Sequence, residues 1–185
     1  MPDRIAILGW GSLLWDPRPE FDQWHNDWQL DGPLLKIEFS RISISRAGAL
    51  TLVLDSRNGA DNQVAYCLSK RGDVSRAMED LRLREGTTRP NIGFVHHDGR
   101  GQSRDRQTHA TIATWSTAQR FDAVVWTDLQ SNFPAKTGKP FSVDTAMAYL
   151  QRLPQAGRRA ASEYINKAPA FVATPLRRKV AATHA

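Results

Sequence analysis

Residues 5–17 read I-A-I-L-G-W-G-S-L-L-W-D-P, with Arg18-Pro19 directly behind them. This stretch restricts the fold more than any other part of the chain. A buried strand that runs into a glycine-rich loop normally opens a dinucleotide-binding βαβ unit, in which a helix of several turns must follow. Here Leu14 occupies the place of the third glycine. Pro17 and Pro19 remove backbone donors and impose extended geometry where that helix would continue. No Gly-Lys-Ser/Thr follows either, which excludes a phosphate-binding P-loop. Whatever the loop holds, it is not a nucleotide phosphate on a doubly wound sheet.

Later segments support that exclusion. Leu34–Ser45, Ala49–Asp55 and Asn62–Ser69 are rich in β-branched residues and separated by glycine-containing turns, so they are predicted to be strands with antiparallel neighbours. Asp73–Glu85 has helical spacing, with Asp73 as N-cap and Gly86 as the stop. Further strands are expected at Ile92–His96, Ala110–Trp115 and Asp122–Thr127, then helices at Ser142–Leu153 and Arg158–Lys167. Strands first and helices later, without regular alternation, point to α+β. Six or seven strands in one small domain suggest a small mixed β-barrel flanked by helices. With no repeat and no linker composition, the whole chain, 1–185, reads as a single domain with a basic tail from about residue 172.

Composition limits the class of function. The chain has 185 residues, 41% hydrophobic and 24% charged, which is ordinary for a folded soluble domain. No apolar run approaches the roughly 20 residues of a membrane span, and the start lacks the features of a secretory signal. One cysteine, Cys67, forms no internal disulfide and fits a reducing cytoplasm. Lying mid-strand, it reads as core. The net charge of +6 comes largely from scattered arginines, which suits a solvated basic surface better than a nucleic-acid footprint. Adjacent His96 and His97 are expected on opposite strand faces, which argues against a shared metal. No cofactor, metal, nucleic acid or membrane partner is expected, and oligomeric state is left open.

Two features carry chemistry. The loop Gly9-Trp10-Gly11-Ser12-Leu13 lets the main chain approach a ligand oxygen, and its N–H groups can form an anion-binding concavity. An ordinary tight turn is the alternative, with Trp10 and Trp15 capping the core. Ser12 as a nucleophile needs a histidine that the sequence does not place beside it. The second feature is Glu85. Val74, Ala77, Met78 and Leu81 form one helical stripe, and Glu85, eleven residues after Val74, projects only about 20° from it. An inward carboxylate is costly unless paired or used. It reads either as a base whose pKa burial raises, or as a partner of Arg82 or Arg89 near a fraying helix end.

At these residues the chain resembles the γ-glutamylcyclotransferase family, in particular its ChaC-like branch. That family opens with G-Y-G-S-L-I-W-x-P after a strand, matched by Gly9-Trp10-Gly11-Ser12-Leu13-Leu14-Trp15-Asp16-Pro17. Its catalytic glutamate lies in an L-x-x-R-E-x-G-like segment after a V-A-Y strand, matched by Leu81–Gly86 after Val64-Ala65-Tyr66. Val124-Val125-Trp126 and Glu163-Tyr164-Ile165 match later family motifs. The resemblance implies a mixed α+β barrel, Glu85 as general acid/base, and no cofactor. It also implies that Gly9, Trp10, Gly11, Ser12, Leu13, Trp15 and Tyr164 bind a γ-glutamyl substrate. Arg46, or Arg41, is a candidate partner for that substrate's α-carboxylate. The implied reaction is cyclisation of a γ-glutamyl amide to 5-oxoproline with release of the amine. Trp10 departs from the family tyrosine, and the Ser45–Gly48 turn is short, so an amide other than glutathione is expected. A non-catalytic binding or regulatory domain on the same fold is the competing reading.

Overall fold

The computed structural model describes residues 2–183. In chain order the regular elements are β1 (Ile5–Gly9), α1 (Pro19–Asp22), β2 (Leu34–Ser43), β3 (Ala49–Leu54), β4 (Ala60–Gln63), β5 (Ala65–Leu68), α2 (Val74–Glu85), β6 (Ile92–His96), β7 (Gly101–Gln102), α3 (Arg106–Gln119), β8 (Ala123–Thr127), α4 (Phe133–Thr137), α5 (Val143–Arg152), α6 (Gln155–Lys167) and α7 (Pro175–Thr183). The fold is mixed α+β. The chain divides into two compact units, Met1–Leu35 with Gln63–Leu129, and Lys36–Asn62 with Gln130–Ala185.

The first unit is built on a five-stranded sheet in the order β5-β1-β8-β6-β7. β1 runs parallel to β8 and antiparallel to β5, and β6 is antiparallel to β8 and to β7. All five residues of β1 are buried, as an all-apolar strand with both faces covered requires. Ile5 and Ile7 share a core with Cys67, Val74, Ala77, Met78 and Leu81. The α2 stripe thus packs as its spacing predicts, with Met78 and Leu81 each contributing about 2 kcal/mol by burial. Asp73 accepts the Arg76 N–H at the helix start, and Gly86 closes the end in a left-handed conformation, φ 58°. At Gly93 the sheet needs a missing side chain: an added Cβ would lie 2.3 Å from the Trp126 indole, its cross-strand partner.

The second unit holds the sheet β3-β2-β4 and helices α4–α7. β2 and β3 are antiparallel, with an irregularity between Phe39 and Arg41. Ala49, Leu153 and Ala161 form a small core, and the Tyr149 hydroxyl donates to Gly48 O at 2.8 Å.

Two expectations change. The strand expected over Ala110–Trp115 is the middle of α3; its alternating Thr and Ile residues mimic a strand, but Asp105 caps a run with no Gly or Pro until the turn at Arg120. The strand expected over Asn62–Ser69 is split at Val64 into β4 and β5, which belong to different sheets. The strands form two sheets, one of five strands and one of three, and no closed barrel is found among the described residues. The basic segment past residue 172 is a docked helix, with Leu176 and Val180 buried and Arg177 donating to Ala168 O at 2.6 Å. No described helix is long and apolar enough to cross a membrane.

Candidate functional site

The glycine-rich loop leaves β1 at Gly9 and forms one 3-10 turn over Ser12–Leu14. Leu14 N–H donates to Gly11 O at 3.0 Å and Asp16 N–H to Ser12 O at 2.9 Å. The N–H groups of Gly11, Ser12 and Leu13 precede the first bond of that turn, so the turn itself offers them no acceptor. Trp10 is buried. At Gly9 a Cβ would lie 2.7 Å from the Trp28 ring. The glycine makes room for an indole of the same unit.

Glu85 is the last residue of α2, and its side chain is 19% exposed. It is therefore less deeply placed than Leu81, one turn earlier, which is fully buried. Arg82 forms a fork with Glu79, at 2.6 and 2.8 Å, which holds the Glu79 carboxyl below its usual range. Arg89 reaches Met78 Sδ at 3.5 Å. Arg84 lies beside Glu85, with Nη1 3.7 Å from Glu85 Oε1.

Arg84, the arginine of the Leu81–Gly86 segment, is the residue to which sequence reasoning gave no role. Its side chain is 4% exposed. One nitrogen, Nη2, donates to Ser12 O at 3.1 Å and to Asp16 O at 2.8 Å, and lies 3.7 Å from Asp16 Oδ2. The guanidinium ties the loop to the last turn of α2, next to Glu85. A signal for it was present: ten residues after Val74, Arg84 projects about 80° from the stripe, at its flank rather than its exposed back.

The remaining candidates lie in the second unit. Tyr164 is buried, edge-on to Phe39 at 6.2 Å, and the Arg46 guanidinium sits 5.0 Å over its ring. Arg41 donates through Nη1 to Gln130 O at 2.8 Å, which commits that nitrogen to the backbone. The structure thus brings the loop and Glu85 together in one unit, and Arg46 and Tyr164 together in the other.

Two further features were not anticipated. A cleft of about 340 Å³ in the first unit is lined by Leu13 and Trp15 of the loop and by Asp22, His25, Asp27 and Trp28; Glu85 does not line it. In the second unit Glu38 on β2 is fully buried, accepting from Phe39 N–H at 2.7 Å and Leu176 N–H at 3.2 Å. Burial pushes its carboxyl above the usual range, against the lowering effect of those bonds and of Thr174. Cys67 is buried core, its thiol pushed up by burial. His96 and His97 do not point apart: β6 ends at His96, and the two rings lie 4.5 Å apart. No group of three His, Cys, Asp or Glu suited to a metal occurs among the described residues. No family model and no curated protein matches the chain.

Proposed function

We propose that the chain is a γ-glutamylcyclotransferase-like enzyme, releasing 5-oxoproline and an amine from a γ-glutamyl amide in the cytoplasm without a cofactor. One observation supports this most: the buried Arg84 guanidinium joins the carbonyls of Ser12 and Asp16 to the helix turn that carries Glu85. Two segments about 70 residues apart, each matched to a family motif, are thereby neighbours. The family's mixed β-barrel belongs to the same proposal, although the sheets as hydrogen-bonded are open.

The reaction is the one that the resemblance implies. Glu85 takes a proton from the substrate α-ammonium, and the freed amine attacks the γ-carbonyl carbon. The new C–N bond closes a five-membered ring and places negative charge on the carbonyl oxygen. N–H groups of Gly11–Leu13 stabilise that oxyanion, an interaction worth roughly 3 kcal/mol per donor at comparable sites. The old C–N bond then breaks as Glu85 gives its proton to the leaving nitrogen, and the freed carboxylate takes the surplus proton of the ring nitrogen, leaving the neutral lactam. Nucleophile and electrophile share one molecule, so holding them in near-attack geometry supplies on the order of 7 kcal/mol.

The competing reading, a non-catalytic small-molecule-binding or regulatory domain, is favoured by the Arg84–Glu85 ion pair and by a cleft beside the loop that Glu85 does not line. A panel of γ-glutamyl amino acids, γ-glutamyl amines and glutathione, assayed for 5-oxoproline, separates the two. Turnover that vanishes in Glu85→Gln supports the enzyme; no turnover of any member supports the binding domain.

A further inference from the structure

A groove in the second unit plays no part in the cyclisation. Helix α5 packs on α6 and on α7, and the three line a groove of about 620 Å³. A volume of that size is one that a small molecule fills. Along α6 its chemistry changes. Arg158 and Arg159 line it in the first turns of that helix, whereas Ile165 lines it nearer the end. Seven residues separate Arg158 from Ile165, about 10 Å of helix. Met147 and Leu150 of α5 and Val180 of α7 join Ile165 in the apolar part. Met147 and Leu150 are only half-buried, so both leave apolar surface in the groove.

The charged part is one-sided. Residues 143–183 hold seven Lys and Arg against two carboxylates, Asp144 and Glu163. Neither carboxylate lines the groove. Asp144 lines a separate hollow with Lys139 and Arg152, and Glu163 accepts from Lys167 at 2.7 Å. Arg158 is held in place by Nη1, which donates to Leu153 O at 2.8 Å just past α5. The dipole of α6 adds positive potential at the helix start, beside these arginines. A cation would meet like charges there, and a small polar anion would leave the apolar part wet. A plain hydrocarbon would leave two guanidinium groups without a counter-charge. One molecule with an anionic head and an aliphatic tail satisfies both parts.

We propose that this groove binds a free medium-chain aliphatic carboxylate, its head at Arg158 and Arg159 and its tail along Met147, Leu150, Ile165 and Val180. The inference does not rest on the cyclotransferase reading, since none of the residues given a part in that reaction lines the groove.

Calorimetric titration of the full chain tests it with decanoate, decan-1-ol, hexanoate and decyltrimethylammonium. Decanoate is expected to saturate at one per chain and to bind about tenfold more tightly than the alcohol. Hexanoate is expected to bind at least about tenfold less tightly than decanoate, having four fewer methylenes to bury. The ammonium compound is expected to bind less tightly than the alcohol. Arg159→Gln, at an exposed position, is expected to weaken decanoate about threefold. Met147→Glu sets a carboxylate in the apolar wall and is expected to weaken it about tenfold. Three results overturn the proposal: no saturation by decanoate at roughly 1 mM, equal binding of decanoate and the alcohol, or decanoate binding unchanged in both folded variants. Sedimentation of the free chain covers another occupant: a dimer that Met147→Glu dissociates would put a second copy in the groove and likewise overturn it. None of these bears on 5-oxoproline release.

Discussion

Glu38 and Glu85 are both carboxylates carried into regular structure beside apolar neighbours, yet their surroundings differ. Glu38 is fully buried, and both of its oxygens accept backbone N–H groups, one from its own strand and one from the start of α7. Its acceptor capacity is spent on fixed donors, so it acts as a remote cap for a helix that has Pro175 at its first position. Glu85 retains partial exposure at a helix end and meets a guanidinium at 3.7 Å. Burial alone therefore does not mark a reactive carboxylate. The nature of the partners, and whether solvent or substrate can reach an oxygen, separates the structural residue from the candidate catalyst.

Substitutions can break that contrast. The largest expected effect is on turnover: Glu85→Gln retains shape and removes the base, and 5-oxoproline release is expected to fall at least about 100-fold. Its urea midpoint is expected to stay close to that of the parent; a large loss of stability would make Glu85 a second Glu38. Glu38→Ala is expected to do the reverse in kind, costing about 3 kcal/mol in urea unfolding, because it leaves the Leu176 N–H without its acceptor and opens a cavity. Next comes Arg84→Lys, which keeps the charge but is one bond shorter, withdrawing the nitrogen that reaches two carbonyls and losing the second one that faces Glu85. A loss of about 2 kcal/mol is expected, together with a fall in kcat/KM.

The smallest effect is a slope. Because burial raises the Glu38 carboxyl in the folded chain, the unfolded chain ionises first as pH rises. Stability from this group is complete below the ordinary carboxylate value and declines as pH climbs toward the raised one. Glu79 acts oppositely: its lowered carboxyl contributes stability above the ordinary value and loses it on acidification. Unfolding free energies measured across weakly acidic pH are expected to decline less in Glu38→Gln than in the parent; an unchanged slope would refute the assignment.

Much of this organisation was legible in the residues, for local reasons. Asp73 and Gly86 bound α2 because a side-chain cap and a left-handed stop are local devices. The adjacency of loop and glutamate was carried by resemblance, and the guanidinium that makes it was not foreseen, since a buried arginine depends on what the fold lays over it. Glu38 escaped for the same reason. Lys36, Glu38 and Ser40 share one face of β2 by alternation, which suggests water, and Lys36 is indeed exposed. Glu38 and Ser40 are fully buried instead, and the Glu38 acceptor is met by the start of α7, some 138 residues away in the chain. In α3, β-branched composition outweighed a legible cap, and the strand reading failed.

The fit of Trp28 over Gly9 has a consequence for how this chain can vary through descent. A methyl at position 9 and an indole at position 28 exclude one another at 2.7 Å. A lineage that gains a side chain at 9 must first shrink residue 28, and the reverse order of changes passes through a clash. The two positions form a linked pair with a directional history, in which loss of the tryptophan is the permissive step.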